Sequence, residues 1–272
     1  MTTIGYYYFN KKNFLGQGGF GMVYRGENVQ DRTNVAVKVI YNYRLSQYQR
    51  TEIDNLKGLN CRNIVRLLDY FTITGNVILI MELCEGDMES RIQNIGRQFS
   101  EPEIRDFLQQ TATGLRYIHN NGILHRDIKP ANILFTHESW QLVYKISDFG
   151  ISKMIEGTER MSIRASDIYS APEINNYGVA NFNSDVWSLG RTVCYMFFRD
   201  INKMNNYLVS LDSQKIFGRI FGHSACNYGI YLGLHDLLGR MLEKDHNRRF
   251  GAGDVLSHYF ITGLNSLNFF NF

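Results

Sequence analysis

The chain has 272 residues, of which 44% are hydrophobic and 20% charged, a composition typical of a globular protein with a substantial core. Its net charge of +3 is small and its basic residues are dispersed, so nucleic acid is not an expected partner. No uninterrupted apolar run reaches the roughly 20 residues that span a bilayer, so we expect no membrane insertion.

The first third of the chain predicts β-strands with one helix. Runs of β-branched and aromatic residues are separated by Gly, Asn and Asp, which is typical of strands joined by turns. Between them, residues 46–59 carry Ile53, Leu56 and Leu59 at helical spacing. The predicted strands lie at 14–15, 22–24, 34–40, 67–71 and 77–81.

After Glu82 the pattern becomes helical. Phe107, Leu115 and Ile118 recur on one helical stripe, and residues 185–198 are almost wholly apolar, as expected for a buried helix. We therefore predict a β-rich lobe at 1–81, a hinge at 82–86, a helical lobe at 87–262 and a short tail at 263–272.

A glycine-rich segment lies between two predicted strands. It fits the pattern G-x-G-x-x-G-x-V, in which glycines let the backbone approach phosphate oxygens closely. A glycine-rich hairpin turn without a ligand is at least as common, so this pattern alone is weak. A dinucleotide-binding fold would need a helix after the glycines, where this chain has strand-like residues. The segment is Gly16, Gln17, Gly18, Gly19, Phe20, Gly21, Met22 and Val23.

A lysine and a glutamate form the next candidate pair. Lys38 ends a strand-like run, and strand alternation puts it on the same face as Ala36. Alone, Lys38 would be interpreted as a solvated lysine, and Glu52 on the predicted helix as a surface carboxylate. Together they would make a lysine that is held by a carboxylate and can grip phosphates.

Two short motifs supply carboxylates, a carboxamide and an ammonium group. One runs from His125 to Asn132 and reads HRDIKPAN, and the other is Asp148-Phe149-Gly150. Mg²⁺ usually binds one or two carboxylates and completes its shell with phosphates and water. The two motifs therefore predict a site for a magnesium-bound nucleoside triphosphate.

The order of these motifs resembles that of the eukaryotic protein kinase catalytic domain. The resemblance runs from Gly16 to about Phe260 and includes Ala-Pro-Glu at 171–173. It implies an α+β, bilobal kinase-like fold, with a small antiparallel β-sheet lobe that carries one helix and a larger, mainly helical lobe. It also implies a Ser/Thr protein kinase that uses ATP and Mg²⁺ on protein substrates.

The resemblance implies the catalytic and metal-binding roles. Asp127 would accept the proton of the substrate hydroxyl, and Lys129 would neutralise charge near the γ-phosphate. Asn132 and Asp148 would coordinate the magnesium ions.

It also implies the nucleotide contacts. Lys38, paired to Glu52, would hold the α- and β-phosphates beneath the glycine loop. By the same resemblance, Met81 would be the gatekeeper, Glu82 and Cys84 would offer backbone groups to adenine, and Asp87 would lie near the ribose. Three apolar residues would enclose the base: Ala36, Val23 and Leu134.

Three buried polar supports follow from the same resemblance. Asp185 would bond the backbone of the catalytic loop, Glu173 and Arg249 would form an ion pair, and His125 would be a packed core histidine. Breaking a buried ion pair is costly because it strands a charge.

Residues 151–170 would form the activation segment. Thr158 and Ser162 are candidates for activating phosphorylation, and Arg126, with Lys153 nearby, would receive the phosphate. An exposed loop with incidental hydroxyls is an equal alternative.

Three positions indicate the acceptor. Lys129 is the residue that Ser/Thr kinases carry at its position, and Ser166 aligns with the hydroxyl that precedes Ala-Pro-Glu in them. By the same resemblance, Ile151, β-branched after Asp-Phe-Gly, suggests threonine over serine as the phosphorylated residue.

Cysteine usage and the N-terminus bear on the compartment. Cys61, Cys84, Cys194 and Cys226 are far apart and have no metal-ligand spacing, so we expect reduced thiols. Met1–Lys12 has no apolar core of a secretory signal. We expect a cytoplasmic protein with nuclear access left open.

Two other functions remain as alternatives. A pseudokinase scaffold would usually lack Lys38, Asp127 or Asp148, and all three are present. A small-molecule kinase of related fold would lack the Ala-Pro-Glu segment. We expect a monomer that dimerises transiently if it phosphorylates itself in trans.

Overall fold

The structure, a computed structural model, describes residues 2–18, 21–41, 43, 45–148, 168–211 and 228–263. The described residues up to Glu82 form one antiparallel sheet with a single helix, and those that follow are mainly helical. The expected bilobal α+β architecture is confirmed.

The sheet has six strands, and every neighbouring pair is antiparallel. Its strands are β1 Thr2–Ile4, β2 Tyr7–Gly18, β3 Gly21–Asn28, β4 Asn34–Ile40, β5 Leu67–Ile73 and β6 Asn76–Glu82. Their order across the sheet is β1-β2-β3-β4-β6-β5, so β4 lies in the middle.

Both faces of β4 are buried, against different cores. Val35, Val37 and Val39 pack into a small cluster with residues of β1, β2 and β6. Ala36 and Ile40 belong to the large core that continues into the helical region. Because successive side chains of a strand point to opposite faces, Lys38 lies on the same side as Ala36, as the alternation predicts.

The N-terminal edge of the sheet differs from the prediction. β2 extends over twelve residues instead of two, and β1 was not predicted at all. Many residues of β2 are polar, and residues 11–15 are all exposed, so the alternation of buried and exposed residues that predicts a strand is missing there. Gly5, at φ +57°, allows the two-residue turn that pairs Ile4 with Tyr7.

The predicted helix of the sheet region is confirmed as α1, Gln47–Lys57. Ser46 caps it by accepting a hydrogen bond from Gln49 N–H, and the Gln49 side chain bonds back to Ser46 N–H. This reciprocal pair satisfies backbone donors that the first helical turn leaves open.

The rest of the described chain contains a second, three-stranded sheet, eight further α-helices and a short 3₁₀ helix, Pro130–Asn132. The strands are β7 Gly86–Asp87, β8 Ile133–Glu138 and β9 Gln141–Ile146. The helices are α2 Met88–Asn94, α3 Glu101–Asn120, α4 Pro172–Tyr177, α5 Phe182–Phe198, α6 Ile201–Leu211, α7 Tyr228–Met241, α8 Ala252–Ser257 and α9 Tyr259–Thr262.

Helix α5 runs through the middle of the helical region. Most of its residues are buried, from Ser184 to Met196, which confirms the apolar helix expected there. Helix α3 buries the predicted stripe, including Phe107, Leu115 and Ile118. Among the described helices, none is both long and apolar enough to cross a membrane.

Candidate active site

The segment 125–132 folds into a loop whose polar side chains bond one another. Lys129 Nζ lies 2.8 Å from Asp127 Oδ1, and Asn132 Nδ2 donates to Asp127 Oδ2 and to its backbone O, both at 2.7 Å. The side chains of Asp127 and Lys129 are each 30% exposed. The carboxylate is therefore held in place and still accessible to a ligand.

A buried carboxylate on α5 fixes the backbone of this loop. Asp185 accepts hydrogen bonds from His125 N–H at 2.9 Å and Arg126 N–H at 2.7 Å, which confirms its predicted role. It also accepts from His119 Nε2 at 2.9 Å, a contact that the sequence did not predict. The bonds hold Arg126 at φ +71°, a strained conformation for a residue with a side chain.

His125 ties the loop to the chain that leads to Asp148. Its Nε2 donates to Ser147 O at 2.8 Å, and its Nδ1 accepts from Asp127 N–H at 3.2 Å. It is buried with both ring nitrogens bonded, so the predicted packed core histidine is confirmed. Ser147 N–H and Oγ in turn donate to Asn132 O, at 2.9 and 3.0 Å.

Lys38 from the sheet reaches this same region. Its Nζ lies 2.7 Å from Asp148 Oδ1, and its side chain is only 1% exposed. A buried cation needs such a partner, so the interpretation of Lys38 as a solvated lysine is wrong. The side chain of Glu52 lies outside the part that the structure describes, so the Lys38–Glu52 pair stays a prediction.

The described glycines of the glycine-rich segment have different environments. A Cβ on Gly21 would lie 2.3 Å from Val39 O, so β3 and β4 can approach only with glycine there. A Cβ on Gly16 would meet no described atom within 4 Å. Gln17 and Gly18 end β2, paired with the first residues of β3. Protein packing thus explains Gly21 but leaves Gly16 available for a ligand contact.

The chain that connects the six-stranded sheet to the helical region carries candidate backbone contacts for a ligand. Glu82 is fixed, since its Oε1 accepts from Arg66 N–H at 2.7 Å and its Oε2 pairs with Lys145 at 3.2 Å. Among the described residues, no hydrogen bond engages the backbone N–H or C=O of Cys84. Backbone groups are strong hydrogen-bonding groups, so those of Cys84 suit a ligand such as a purine edge.

We expect the thiol of Cys84 to be unreactive. Burial, reinforced by the nearby Glu82 carboxylate, raises its pKa to about 12. Since the thiolate is the nucleophile, alkylation by iodoacetamide at pH 8 should be at least about a hundredfold slower than for a free cysteine. Mass spectrometry of the peptide that contains Cys84 measures this, with denatured protein as the fully reactive control. Equal labelling of the folded and denatured protein would contradict it.

The residues expected around the base lie next to the large core. Ala36 and Met81 are directly opposite each other on β4 and β6, and both are buried. Val23 and Leu134 pack against the same core. Asp87 caps α2, accepting from Ser90 N–H at 2.8 Å and Ser90 Oγ at 3.0 Å.

Several candidate residues cannot be placed because they lie outside the described part of the chain. They belong to the tip of the glycine loop, the Asp-Phe-Gly motif and the activation segment. They are Gly19, Phe20, Phe149, Gly150, Ile151, Lys153, Thr158, Ser162 and Ser166.

The donor set fits a magnesium ion that is shared with phosphates. The NH₂ group of Asn132 faces Asp127, which leaves the side-chain oxygen Oδ1 without a hydrogen bond among the described residues. Asp148 supplies a carboxylate. The described residues contain no cluster of three or more His, Cys, Asp or Glu side chains that would hold a metal alone. Two hard oxygen donors without a complete cage are the arrangement that Mg²⁺ uses with a triphosphate.

A buried ion pair lies in the helical region, between Glu173 of α4 and Arg249. Arg249 Nη1 and Nη2 lie 2.6 and 2.9 Å from Glu173 Oε1 and Oε2, and both side chains are almost fully buried. Ser184 Oγ donates to the same carboxylate at 2.7 Å. The predicted Glu173–Arg249 pair is confirmed.

Comparison with known proteins places these features in one family. Residues 9–261 match the protein kinase domain. The chain is 30% identical to the serine/threonine-protein kinase PLK4 of Xenopus tropicalis over 95% of its length, which is 28% of that relative. It is 35% identical to the cytokinesis protein sepH of Aspergillus terreus over 91% of the chain and 18% of the relative. It is 34% identical to the human serine/threonine-protein kinase ULK1 over 70% of the chain and 19% of that relative. The chain therefore spans less than a third of each of these relatives.

Proposed function

The chain belongs to the protein kinase family, and on that premise we propose that it transfers the γ-phosphoryl group of ATP to protein Ser or Thr hydroxyls. The observation that carries the proposal is the bonded set of Asp127, Lys129 and Asn132 beside the Lys38–Asp148 pair. Phosphoryl transfer depends mainly on positioning and on electrostatic stabilisation, and these residues supply both.

Each side chain has a task that its surroundings support. Asp127 is accessible and held from two sides, so it can orient the acceptor hydroxyl and take its proton. Lys129, bonded to Asp127, brings a positive charge to the place where phosphate charge develops. Lys38 is buried and lies 2.7 Å from Asp148, so it brings a positive charge beside the proposed magnesium ligand, where it would bind the α- and β-phosphates. Asn132 and Asp148 would hold magnesium, which neutralises charge on the phosphates when bound.

Serine and threonine are the proposed acceptors. The names of two relatives, PLK4 and ULK1, describe serine/threonine-protein kinases. The Lys129 ammonium group, 2.8 Å from the proposed base, is the feature of this chain that agrees with those names.

The alternative is a scaffold that binds nucleotide without transferring phosphate. Incubation of the protein with γ-labelled ATP, Mg²⁺ and a protein acceptor separates the two. A kinase labels serine and threonine of the acceptor and loses this activity when Asp127 is replaced. Nucleotide binding without any transfer would favour the scaffold.

Threonine is the proposed preference, because of the β-branched Ile151. Matched peptides that differ only in Ser or Thr at the acceptor should be phosphorylated up to about tenfold faster with Thr, the scale that one methyl contact provides. The ratio of kcat/KM for the pair is the measurement. A peptide array that favours Ser would contradict it.

Phosphorylation of the activation segment is the proposed control. Arg126 supports it, since its buried Nε has no hydrogen-bond partner among the described residues. Replacing Thr158 and Ser162 with Ala should lower activity by about tenfold or more, through loss of charge-assisted bonds. Initial rates before and after phosphatase treatment measure this. The exposed Ser257→Ala is the control, and unchanged activity of the double variant would refute the proposal.

A further inference from the structure

A polar pocket lies between residues 168–172 and the helices α4, α5 and α6. Its volume is about 410 Å³, enough for a charged side chain and part of the chain that carries it. None of the described residues that line it has a carboxylate. Its polar lining consists of Ser170, Asn175, Asn176, Trp187, Arg191 and Asn205.

A buried guanidinium is the strongest of these groups. Arg191 is 5% exposed, and its Nε donates to Ile168 O at 2.5 Å. Its Nη2 donates to Asn205 Oδ1 at 3.0 Å. Since this bond fixes the oxygen of the Asn205 amide toward Arg191, the NH₂ end of that amide is left as a further donor.

Trp187 adds a donor whose partner is missing from the described residues. The residue is 7% exposed, and its Nε1 is buried without a hydrogen bond to any described group. An indole N–H can only donate, and a buried donor without an acceptor is unfavourable. The pocket thus combines a cation with neutral donors, and its chemistry selects a hydrogen-bond acceptor of negative charge.

Helix α5 connects this pocket to the catalytic loop. Asp185 holds the backbone of His125 and Arg126, Ser188 Oγ donates to Tyr169 O at 2.9 Å, and Arg191 holds Ile168. Asp185 and Arg191 are separated by about 9 Å along the helix axis. An extended peptide covers that distance in about three residues. The pocket is therefore within reach of a peptide whose hydroxyl lies at Asp127.

We propose that this pocket binds the carboxylate or phosphate group of an acidic residue in the peptide substrate, a few positions from the acceptor hydroxyl. The inference rests on the proposed kinase function, because that function makes the bound peptide a substrate. The binding itself requires no catalysis. An anion there would accept from Arg191 and from the donors beside it. The charge of the pocket makes acidic peptides preferred over neutral ones.

Binding is measured with labelled peptides in which Ala replaces the acceptor, so no transfer can occur. A single Glu, phosphoserine or Gln is moved through the positions on both sides of that Ala. We expect one position at which Glu or phosphoserine binds about tenfold more tightly than Gln, as for a charge-assisted hydrogen bond. Fluorescence anisotropy gives the affinities.

Two variants test the pocket by different means. Arg191→Met removes the cation, and Asn176→Asp puts a repelling carboxylate at an exposed edge, where folding is not at stake. Both should reduce the acidic preference to about onefold to twofold, since the charge-assisted bond is lost or opposed. The matched control Asn60→Asp adds the same charge at an exposed position that does not line the pocket and should keep the preference.

Tryptophan fluorescence supplies an independent readout. The chain has two tryptophans, and Trp140 is 99% exposed at a turn, so Trp140→Phe leaves Trp187 as the only tryptophan, whose emission is excited selectively over that of the tyrosines. Titration with the preferred acidic peptide should shift the emission of Trp187, and the Gln peptide should not at the same concentration.

The outcomes separate this inference from the proposed function. Phosphorylation without any acidic preference, or a preference that survives both variants, overturns the pocket and leaves the kinase standing. Acidic preference that Asn176→Asp abolishes, with no phosphoryl transfer, supports the pocket in a protein that is not an active kinase. A pocket that holds only water would give neither the preference nor the Trp187 signal.

Discussion

Replacing Asp127 with Asn is expected to slow phosphoryl transfer by at least about a hundredfold, the lower range for loss of a general base. The amide cannot take a proton from the acceptor hydroxyl. It also has one oxygen where Asp127 uses two, so its NH₂ group would face one of the two donors, Lys129 or Asn132, and that hydrogen bond would be lost. The fold should persist, since the side chain is 30% exposed and the loop is held by Asp185.

The measurement is the initial rate of label transfer from ATP to a protein acceptor, together with nucleotide affinity. Asp31→Asn is the matched control, because Asp31 is exposed in a turn of the sheet and bonds only its neighbour Thr33 among the described residues. Wild-type and control rates should agree. If the Asp127→Asn protein labels the acceptor as fast as wild type, the transfer belongs to another protein in the preparation.

Much of this site could be predicted from the sequence because most of its chemically important residues lie in short contiguous motifs. HRDIKPAN folds back on itself, so residues two to five positions apart become partners. The partner of Lys38 was harder to predict, because Asp148 lies 110 positions away in the sequence. The motifs identify both residues, but only the fold shows that they meet.

The glycines show a second limit of sequence patterns. The motif does not distinguish Gly16 from Gly21, because both are glycines at positions that it specifies. In the structure, however, a Cβ on Gly21 would collide with Val39 O, and one on Gly16 would meet no described atom within 4 Å. Similarly, nothing local predicts the left-handed backbone of Arg126 and Asp148. Tertiary bonds, from Asp185 to the first and from Lys38 to the second, accompany both conformations.

Short and polar elements were missed for a related reason. The strand β1 has three residues, and its contacts are the pairing with β2 and the packing of Ile4 in the small cluster. The donors around Arg191 come from three helices and the segment before α4, so no spacing along the chain connects them. Such features depend on packing between distant segments, and local propensity carries little information about them.

Replacing Arg249 with Met is expected to be the most destabilising of these changes, by about 3–5 kcal/mol. Burial alone would raise the pKa of Glu173, but hydrogen bonds from Arg249 and Ser184 outweigh it and hold that pKa below its usual value. Without the guanidinium, a buried carboxylate loses its counter-charge. The backbone oxygens of Asn183 and Glu243 lose a donor at the same time.

Urea unfolding of the variants measures this loss, and a second substitution tests its cause. If an unpaired charge dominates, adding Glu173→Gln to Arg249→Met should restore about 1–3 kcal/mol, the range of coupling between contacting residues. Arg32→Met breaks the exposed pair with Glu27 and should change stability by no more than about 1 kcal/mol. A double variant no more stable than Arg249→Met would instead assign the cost to the lost backbone bonds and packing. In that case the charge of Glu173 would not be what makes Arg249 necessary.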